Sequence, residues 1–283
     1  MEVEGDETYN LIRRHLLNAR GFDISGYSRS FLNRSVRKRA GRLGCESGME
    51  YIGRLRKDEE EVNELIAALS VNVTDFFRDA DAFAALSKLV LQPLVETKIR
   101  LGWSALRIWS AGCATGQETY SIAICVAEEL KKADPDRNLV VRIVGTDLSS
   151  SALEIARTGI YAKERMRGVS RRLLKEYFSA SESGYEVTPE LRRMTKFSKG
   201  NLLDRPTGKF LDVIVCRNVI IYFSRVVHDQ VIDNFVRVLK PGGYLMLGRT
   251  ETLMGPRRQL FEAVDHENRI FRKPLTPMSL SGL

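Results

Sequence analysis

The sequence predicts an α/β fold, a parallel sheet covered by helices, that follows a basic and all-helical domain. From Leu106 onward, short apolar runs alternate with amphipathic segments of about 10–15 residues, the pattern of a parallel sheet with helices on both faces. Residues 8 to about 70 carry helical periodicity instead. A length of 283 residues with 43% hydrophobic and 28% charged residues fits two globular domains and excludes a disordered chain.

The individual elements follow from the apolar pattern. Four strands are predicted, and the last of them follows the turn KPGG: LRIWSAG, LVVRIVGTD, FLDVIVCRN and YLMLGRT. Three helices separate them: QETYSIAICVAEELKKA, SSSALEIARTG and HDQVIDNFVRVL. Ahead of the sheet, the helix DADAFAALSKLVLQPLVETKIR should be interrupted or end near Pro93. The segment from Tyr161 to about Ser198 is denser in charge and lacks the alternation, so we interpret it as an insertion.

Composition excludes several classes of protein. The four cysteines are scattered, no C-x-x-C pair occurs and there are only three histidines, which argues against a zinc module and a disulfide framework. No apolar run approaches the ~20 residues that span a bilayer. The N-terminus MEVEGDETYN is acidic and does not resemble a secretory signal. We therefore expect a cytoplasmic protein with free thiols, no metal and no membrane insertion.

Positive charge is concentrated near the N-terminus. Between Asn10 and Lys57 there are twelve Lys or Arg residues and three acids, so this window accounts for the whole net charge of +8. Its densest part, SRSFLNRSVRKRAGRLG, is predicted to be a helix with an apolar stripe of Leu32, Val36, Ala40 and Leu43. Arg34, Lys38 and Arg42 fall on the side opposite the stripe, and Arg37 and Arg39 fall on its flanks. The candidates for docking are Arg34, Arg37, Lys38 and Arg42. They form either a solvated face or a docking surface for an anionic partner, phosphate or carboxylate.

A glycine-containing loop follows the first predicted strand. In SAGCATGQE, Gly112 and Gly116 allow a tight turn and a close approach of the backbone to a ligand at a helix N-terminus. The spacing is neither the dinucleotide G-x-G-x-x-G nor a phosphate-binding P-loop. By itself this loop indicates either nucleotide binding or a tight strand-to-helix turn.

Two further features favour a nucleotide-like cofactor. Asp147 ends the second strand, 31 residues after Gly116, where an acid can accept hydrogen bonds from both ribose hydroxyls. The alternative role of Asp147 is a cap for the helix SSSALEIA. With the turn in LKPGGYLML, these features are the signature of the class I S-adenosylmethionine-dependent methyltransferase fold, which is Rossmann-like.

Five blocks, in order, resemble those of the CheR-type chemotaxis receptor methyltransferases: VNVTDFFRD, WSAGCATGQETYSIA, GTDLSSSALEIARTGIY, GNLLD and CRNVIIYF. The resemblance covers nearly the whole chain. It implies methyl transfer from S-adenosylmethionine to glutamate side chains on the cytoplasmic helices of chemoreceptors, which yields methyl esters and S-adenosylhomocysteine in chemotaxis adaptation. It also implies a receptor-docking helical domain at residues 1–75 and a methyltransferase domain at 76–283, with a small β subdomain inserted at about 161–198.

The resemblance assigns roles to individual residues. It places ten residues around the cofactor: Asn72, Thr74, Arg78, Gly112, Glu118, Asp147, Asn201, Leu202, Asn218 and Val219. Arg78 and Tyr222 would lie beside the methyl acceptor. Without the resemblance, Arg78 fits a surface salt bridge equally well and Tyr222 a core ring.

The chain departs from the family pattern at two places. Where the family usually has two acids and a proline after the glycine loop, this chain has Gln117, Glu118 and Thr119. The glycine-rich turn of the β subdomain is shortened to FSASESGYEVTPE. In some members that subdomain grips a receptor's tether peptide, so the shortened turn predicts a tether-independent enzyme. Separately, we expect a monomer.

Two other functions would fit part of the pattern. A basic domain beside this fold is what a nucleic-acid methyltransferase would show. However, CRNVIIYF lacks the Asn/Asp-Pro-Pro-aromatic motif of enzymes that methylate a flipped base, and the basic helix lacks interleaved aromatics. We therefore expect no nucleic-acid partner. The other alternative is a non-catalytic S-adenosylmethionine sensor, against which Arg78 and Tyr222 argue.

Overall fold

Two units make up the computed structural model, which describes residues 6–70, 74–103, 105–134, 139–204 and 209–276. The helical unit contains residues 6–70 and a later segment, Tyr222–His228. The sheet unit contains the rest of the described chain. No helix in these ranges is long and apolar enough to cross a membrane.

Four helices form most of the helical unit: α1 (Asp6–Arg20), α2 (Arg29–Arg42), α3 (Gly48–Leu55) and α4 (Glu59–Ser70). Their starts follow local chemistry. The hydroxyls of Ser28 and Ser47 accept backbone N–H bonds at the starts of α2 and α3, and the first turn of α4 carries three glutamates. Buried aliphatic side chains from all four helices form one core.

The apolar stripe predicted for α2 is correct except at its end. Leu32, Val36 and Ala40 are buried, whereas the Leu43 side chain is 38% exposed. The reason is that α2 ends at Arg42, so Leu43 is the residue that caps the helix and no longer follows its periodicity.

The later segment of the chain packs onto α2 and the turn before it. The backbone N–H of Ser28 donates to the carbonyl of Tyr222 at 2.8 Å, and the N–H of Ser224 donates to Gly26 at 2.9 Å. The ring of Tyr222 lies 4.6 Å from that of Phe31, centroid to centroid. The helical unit is therefore built from two separate stretches of sequence.

The sheet unit contains a seven-stranded sheet and a three-stranded sheet. The strands are β1 (Ala105–Ala111), β2 (Val140–Asp147), β3 (Ile160–Tyr161), β4 (Phe178–Ser181), β5 (Gly184–Val187), β6 (Thr195–Lys199), β7 (Leu211–Cys216), β8 (Leu239–Leu247), β9 (Glu262–Asp265) and β10 (Ile270–Arg272). The large sheet has the order β6-β2-β1-β7-β8-β10-β9, and β10 runs antiparallel to its two neighbours. The small sheet has the order β3-β5-β4.

Seven helices accompany these strands: α5 (Ala80–Leu86), α6 (Gln92–Arg100), α7 (Gln117–Ala133), α8 (Ser150–Thr158), α9 (Arg171–Tyr177), α10 (Pro189–Met194) and α11 (Arg225–Val238). The first turn of α11 belongs to the helical unit. The interruption expected near Pro93 is a π-helical turn, Ser87–Leu91, directly before α6. Pro93 then occupies the first turn of α6, where a missing N–H is tolerated.

The structure differs from the sequence-based prediction at two places. Residues 195–199, which we assigned to the insertion up to about 198, form β6, an edge strand of the large sheet paired with β2. The insertion therefore ends before Thr195. The predicted turn KPGG lies within β8, where the pairing with β7 jumps from Leu239 to Tyr244, so these residues form a bulge.

Candidate functional site

The carboxyl ends of β1, β2, β6, β7 and β8 meet at one edge of the large sheet. From β1 the chain continues to β2 on one side, and β7 lies on the other side. In open α/β sheets, this change of direction leaves a crevice that binds ligands. Every described residue predicted to bind the cofactor lies on a loop, a helix start or a strand end of the sheet unit, and Asn72 lies outside the described residues.

The glycine loop after β1 makes the close approaches that only glycine permits. Gly112 has a φ of +78°, and a Cβ there would lie 2.5 Å from Cγ2 of Val219. Gly116 has a φ of +93°, and a Cβ there would lie 2.8 Å from that of Ala156. The N–H of Gly112 also donates to the carbonyl of Thr146 at 2.8 Å, which joins the loop to β2.

Asp147 lies at the end of β2 and faces the glycine loop. Its Oδ2 accepts the N–H of Ala114 at 2.8 Å, and its Oδ1 accepts the N–H of Ser149 at 2.9 Å. The cap of α8 is the hydroxyl of Ser149, which accepts from Ala152, so the helix-cap alternative for Asp147 is wrong. Burial raises the pKa of Asp147 and the two N–H bonds oppose this. Each carboxylate oxygen keeps a lone pair for a ligand hydroxyl.

Glu118 lies in the first turn of α7 and is buried. Its Oε1 accepts a hydrogen bond from the hydroxyl of Ser110 at 2.9 Å. Burial raises the pKa of Glu118 to about 6. The charge of Arg217, the bond from Ser110 and the more distant charge of Arg78 act in the opposite direction and lower the pKa. Glu118 is therefore mostly ionised at neutral pH and can hold a cationic group.

Arg217 is a buried cation that sequence reasoning missed. Its guanidinium donates to Asp79, its Nη1 lies 3.9 Å from Oε2 of Glu118, and its carbon Cζ lies 5.3 Å from the centroid of the Phe83 ring. It thereby joins the loop before α5 to the end of β7. The available signal was an arginine directly after four apolar strand residues, VIVC, a place where a charge needs a partner.

The loop that carries Thr74 and Arg78 is held in an unusual conformation. Phe77 and Asp79 have φ values of 51° and 59°, which non-glycine residues seldom adopt. The N–H of Phe77 donates to the hydroxyl of Ser121 at 3.0 Å. Thr74 is half-buried and the Arg78 side chain is exposed. Such strain persists only where the surroundings impose it, and it is concentrated at functional sites.

The loop after β6 is held from α11. The side chain of Asn201 accepts the N–H of Leu203 at 3.0 Å, and Leu202 is buried. The amide nitrogen of Asn234 donates to the carbonyls of Leu202 and Asp204, at 2.9 Å and 3.2 Å. Asn234 was not predicted, because nothing in its own helix marks it as a support for this loop.

The loop after β7 contains Asn218 and Val219. Asn218 has a φ of 60°. The backbone N–H groups of both residues donate to the carboxylate of Glu251, at 2.9 Å and 2.8 Å. Glu251 is buried and lies beyond β8, and sequence reasoning did not predict its role. Tyr222, the other predicted acceptor residue, belongs to the helical unit, as described above.

The cations predicted for docking lie on α2. Arg34, Lys38 and Arg42 are exposed and line a groove between α2 and α4 with a volume of about 400 Å³. The rest of its lining is Ser35, Arg39, Glu64, Ala67 and Ala68. Arg37 is exposed but does not line the groove. We call this surface the α2–α4 groove.

The residues at the sheet edge fit S-adenosylmethionine. Asp147 offers acceptors for ribose hydroxyls, and Glu118 offers a carboxylate for the amino group of the methionine moiety. Among the described residues, no three His, Cys, Asp or Glu side chains cluster to hold a metal ion.

Comparisons with known proteins agree with this geometry. Residues 7–70 match the family described as CheR methyltransferase, all-alpha domain, and residues 72–270 match CheR methyltransferase, SAM binding domain. The chain is 33% identical over 260 residues to a chemotaxis protein methyltransferase of Borreliella burgdorferi, across 90% of this chain and 91% of that one. It is 36% identical over 250 residues to chemotaxis protein methyltransferase 1 of Pseudomonas aeruginosa, across 87% and 90%.

A solved structure, the glycopeptide N-methyltransferase MtfA, overlaps with 56% of this chain and 57% of its own at 15% identity and a TM-score of 0.32. The two family matches together span most of the chain, and they contain the glycine loop, Asp147 and the basic α2. The protein therefore belongs to the CheR methyltransferase family, and its cofactor is S-adenosylmethionine.

Proposed function

We propose that the protein is a protein-glutamate O-methyltransferase of the cytoplasm, which methylates glutamate side chains on the cytoplasmic helices of chemoreceptors. The family and the relatives named chemotaxis protein methyltransferases support methylation in chemotaxis. The observation that carries the choice of acceptor is the α2–α4 groove, whose cations suit an acidic protein surface.

The spacing of the groove cations suits a helical partner. Arg34, Lys38 and Arg42 follow one another at four-residue intervals along α2, which corresponds to about 6 Å between successive positions. Carboxylates at four-residue intervals on a partner helix would have the same spacing of about 6 Å. Ala67 and Ala68, which also line the groove, are small and leave room for a side chain to enter. Charges of this kind steer and orient a partner more than they add to affinity.

Arg39 does not contribute free charge to this surface. Its guanidinium donates to Glu61 and to Glu64, the latter at 2.8 Å. The positive charge of the groove therefore depends on Arg34, Lys38 and Arg42, which are three of the four residues predicted to dock a partner.

The reaction requires little acid–base chemistry. A glutamate side chain has a solution pKa of about 4.3 and is already an anion at neutral pH, so no general base is needed. Bound S-adenosylmethionine would supply an electrophilic methyl group on a sulfonium. The task left to the protein is to align the carboxylate with that methyl group and exclude water, and alignment alone can lower the barrier by ~7–11 kcal/mol.

The proposed roles are those that the family resemblance implies, and the local contacts of the side chains support them. Glu118 and Asp147 hold the cofactor through its amino group and its ribose. Arg78, exposed on a loop of constrained backbone, positions the acceptor carboxylate through paired N–H donors. Tyr222, which was also predicted beside the acceptor, belongs to the helical unit, and its role stays a prediction.

A labelling experiment tests the proposal. The protein is incubated with tritiated S-adenosylmethionine and either receptor cytoplasmic fragments, the same fragments with their acceptor glutamates changed to alanine, or nucleic acid. We expect label on the first substrate alone, released as methanol by mild base, because methyl esters hydrolyse there. Label on nucleic acid would replace the proposal with a nucleic-acid methyltransferase. Cofactor binding without transfer to any substrate would indicate a sensor.

A further inference from the structure

The carboxylate of Glu251 accepts four backbone hydrogen bonds. Its Oε2 accepts the N–H groups of Gly248 at 2.6 Å and Asn218 at 2.9 Å. Its Oε1 accepts those of Val219 at 2.8 Å and Ile220 at 2.9 Å. Glu251 is only 2% exposed, so water does not compete for these bonds. One side chain from beyond β8 therefore fixes three consecutive residues after β7.

All four partners of this carboxylate are donors. An ionised carboxylate offers only acceptors, whereas an amide of the same size presents an NH₂ group to two of the four N–H groups. The arrangement therefore requires a carboxylate for its chemistry and not merely for its shape. Hydrogen bonds of this kind, between a charged acceptor and backbone N–H groups, are the strong ones in proteins.

The fixed loop touches the glycine loop of the cofactor site. A Cβ on Gly112 would lie 2.5 Å from Cγ2 of Val219, so there is no free space between the two loops. Asn218 has the left-handed φ of 60°, which its surroundings have to impose. Release of the Glu251 bonds would allow Asn218 to relax and Val219 to move away from Gly112.

We propose that Glu251 is a positioning residue of the methyltransferase site, which holds Asn218 and Val219 in the conformation that binds the cofactor. It acts through the backbone of these residues and does not touch the reacting atoms. The inference rests on the cofactor role proposed for Asn218 and Val219, and it does not depend on which substrate is methylated.

Two substitutions separate chemistry from shape. Glu251→Gln keeps the size of the side chain and puts a donor against donors, while Glu251→Asp keeps the carboxylate and shortens its reach. The matched control is Glu129→Gln, a buried glutamate of the same unit that pairs with Lys132. Glu129 lies twelve residues beyond Gln117 on α7, roughly 18 Å from the start of that helix.

The measurement is the affinity for S-adenosylhomocysteine by calorimetry, with the thermal midpoint of each variant measured alongside. We expect Glu251→Gln to weaken binding at least fivefold, Glu251→Asp to weaken it less, and Glu129→Gln to bind within twofold of the wild type. A Glu251→Gln protein with wild-type affinity, or one that binds better than Glu251→Asp, would overturn the proposal, since shape would then matter more than acceptor chemistry.

Amide hydrogen exchange of the wild-type protein keeps the proposal testable if Glu251→Gln does not fold. The N–H groups of Asn218, Val219 and Ile220 should exchange slowly although they lie in a loop. Exchange at the rate of an open loop contradicts the proposal. Absence of receptor methylation with normal cofactor binding and slow exchange would refute the proposed acceptor and leave the role of Glu251 intact.

Discussion

The guanidinium of Arg39 on α2 pairs with both carboxylate oxygens of Glu61 on α4. Nε lies 3.0 Å from Oε1 and a terminal nitrogen bonds Oε2, while the hydroxyl of Tyr51 donates to Oε1 at 2.6 Å. The two charged side chains are 11% and 3% exposed, so this is a buried ion pair. It connects α2, which carries the groove cations, to α4, which lines the other side of the groove.

The first prediction concerns the stability of the helical unit. Arg39→Ala should lower the free energy of unfolding by about 3 kcal/mol, because removal of one partner leaves a buried charge uncompensated. Arg34→Ala, on the same helix but exposed, should change it by no more than about 0.5 kcal/mol. Urea denaturation of both variants provides the measurement. Equal stability of the two variants would show that the Arg39–Glu61 pair adds nothing.

Asp147 should contribute directly to cofactor binding. Asp147→Ala should weaken the affinity for S-adenosylhomocysteine by at least ~1.5 kcal/mol, more than tenfold, since it removes hydrogen bonds to a charged acceptor. Calorimetry on the folded variant measures this. Because the side chain also accepts from Ala114, a crystal structure of the variant should show whether the glycine loop has moved. Unchanged affinity would show that Asp147 holds the glycine loop and does not bind the cofactor.

Glu118 should make cofactor binding dependent on pH. Its pKa of about 6 lies above the usual value for glutamate, so the carboxylate becomes protonated as the pH falls through 6. If the ionised form holds the amino group of the cofactor, affinity should be constant above pH 7 and decline below pH 6. Calorimetry between pH 5 and pH 8 tests this, with Glu118→Gln as the comparison. That variant should bind more weakly at pH 7.5 and lose the decline centred near pH 6.

The same shift has a consequence for folding. A carboxyl whose folded pKa is raised takes up protons in the folded state at a pH where the unfolded chain releases them. The contribution of Glu118 to stability is therefore greatest at low pH and is lost as the pH rises through about 6.

Arg78 should affect turnover more than cofactor affinity. Arg78→Ala should lower kcat with receptor at saturation, because the acceptor carboxylate loses a positioning group, while S-adenosylhomocysteine binding changes little. Arg78→Lys should recover only part of the rate, since its ammonium keeps the positive charge but cannot form the forked pair. An Arg78→Ala enzyme at full speed would exclude this role and favour a surface salt bridge.

Charge reversal tests the α2–α4 groove. Changing Arg34, Lys38 and Arg42 to Glu should raise the KM for receptor substantially and leave cofactor affinity unchanged. The matched control reverses three exposed cations of the same unit outside the groove: Arg14, Arg56 and Lys57. Added salt should weaken the wild-type reaction and partly relieve the groove variant by screening the repulsion.

The outcomes of this comparison separate two explanations. If the control variant loses as much activity as the groove variant, overall charge and not the groove determines docking. If neither loses activity at low salt, α2 presents only a solvated face. Arg37→Glu adds a finer test, because Arg37 was predicted to dock but does not line the groove.

Local pattern was enough to predict four of the five parallel strands of the described chain, β1, β2, β7 and β8, and the helices α7, α8 and α11. β1, β2 and β7 are apolar runs with turn residues at their ends, and each is buried by neighbours that the alternation itself implies. β6 escaped prediction because an edge strand needs fewer apolar residues, and TKFSK has only one. The glycine loop and Asp147 were recognisable because strand ends of this fold require them.

Long-range partners could not be read from sequence. Glu251 is 31 residues or more from the three N–H groups after β7 that it binds, and Arg217 is 138 residues from Asp79. A buried charge becomes interpretable only when its partner is known, and the sequence places no constraint on which distant acid or amide that partner is. For the same reason Arg39 looked like any other cation of α2.

The helical unit cannot be separated from the rest of the chain by a single cut. Tyr222 and Phe223 pack against Phe31 and Tyr27, so a fragment that stops before the first strand would expose these two rings to water. Exchange of N-terminal segments between relatives would join helices of one protein to a foreign 222–228 segment. Mutation in evolution faces the same restriction, since a change in either stretch must remain compatible with the other.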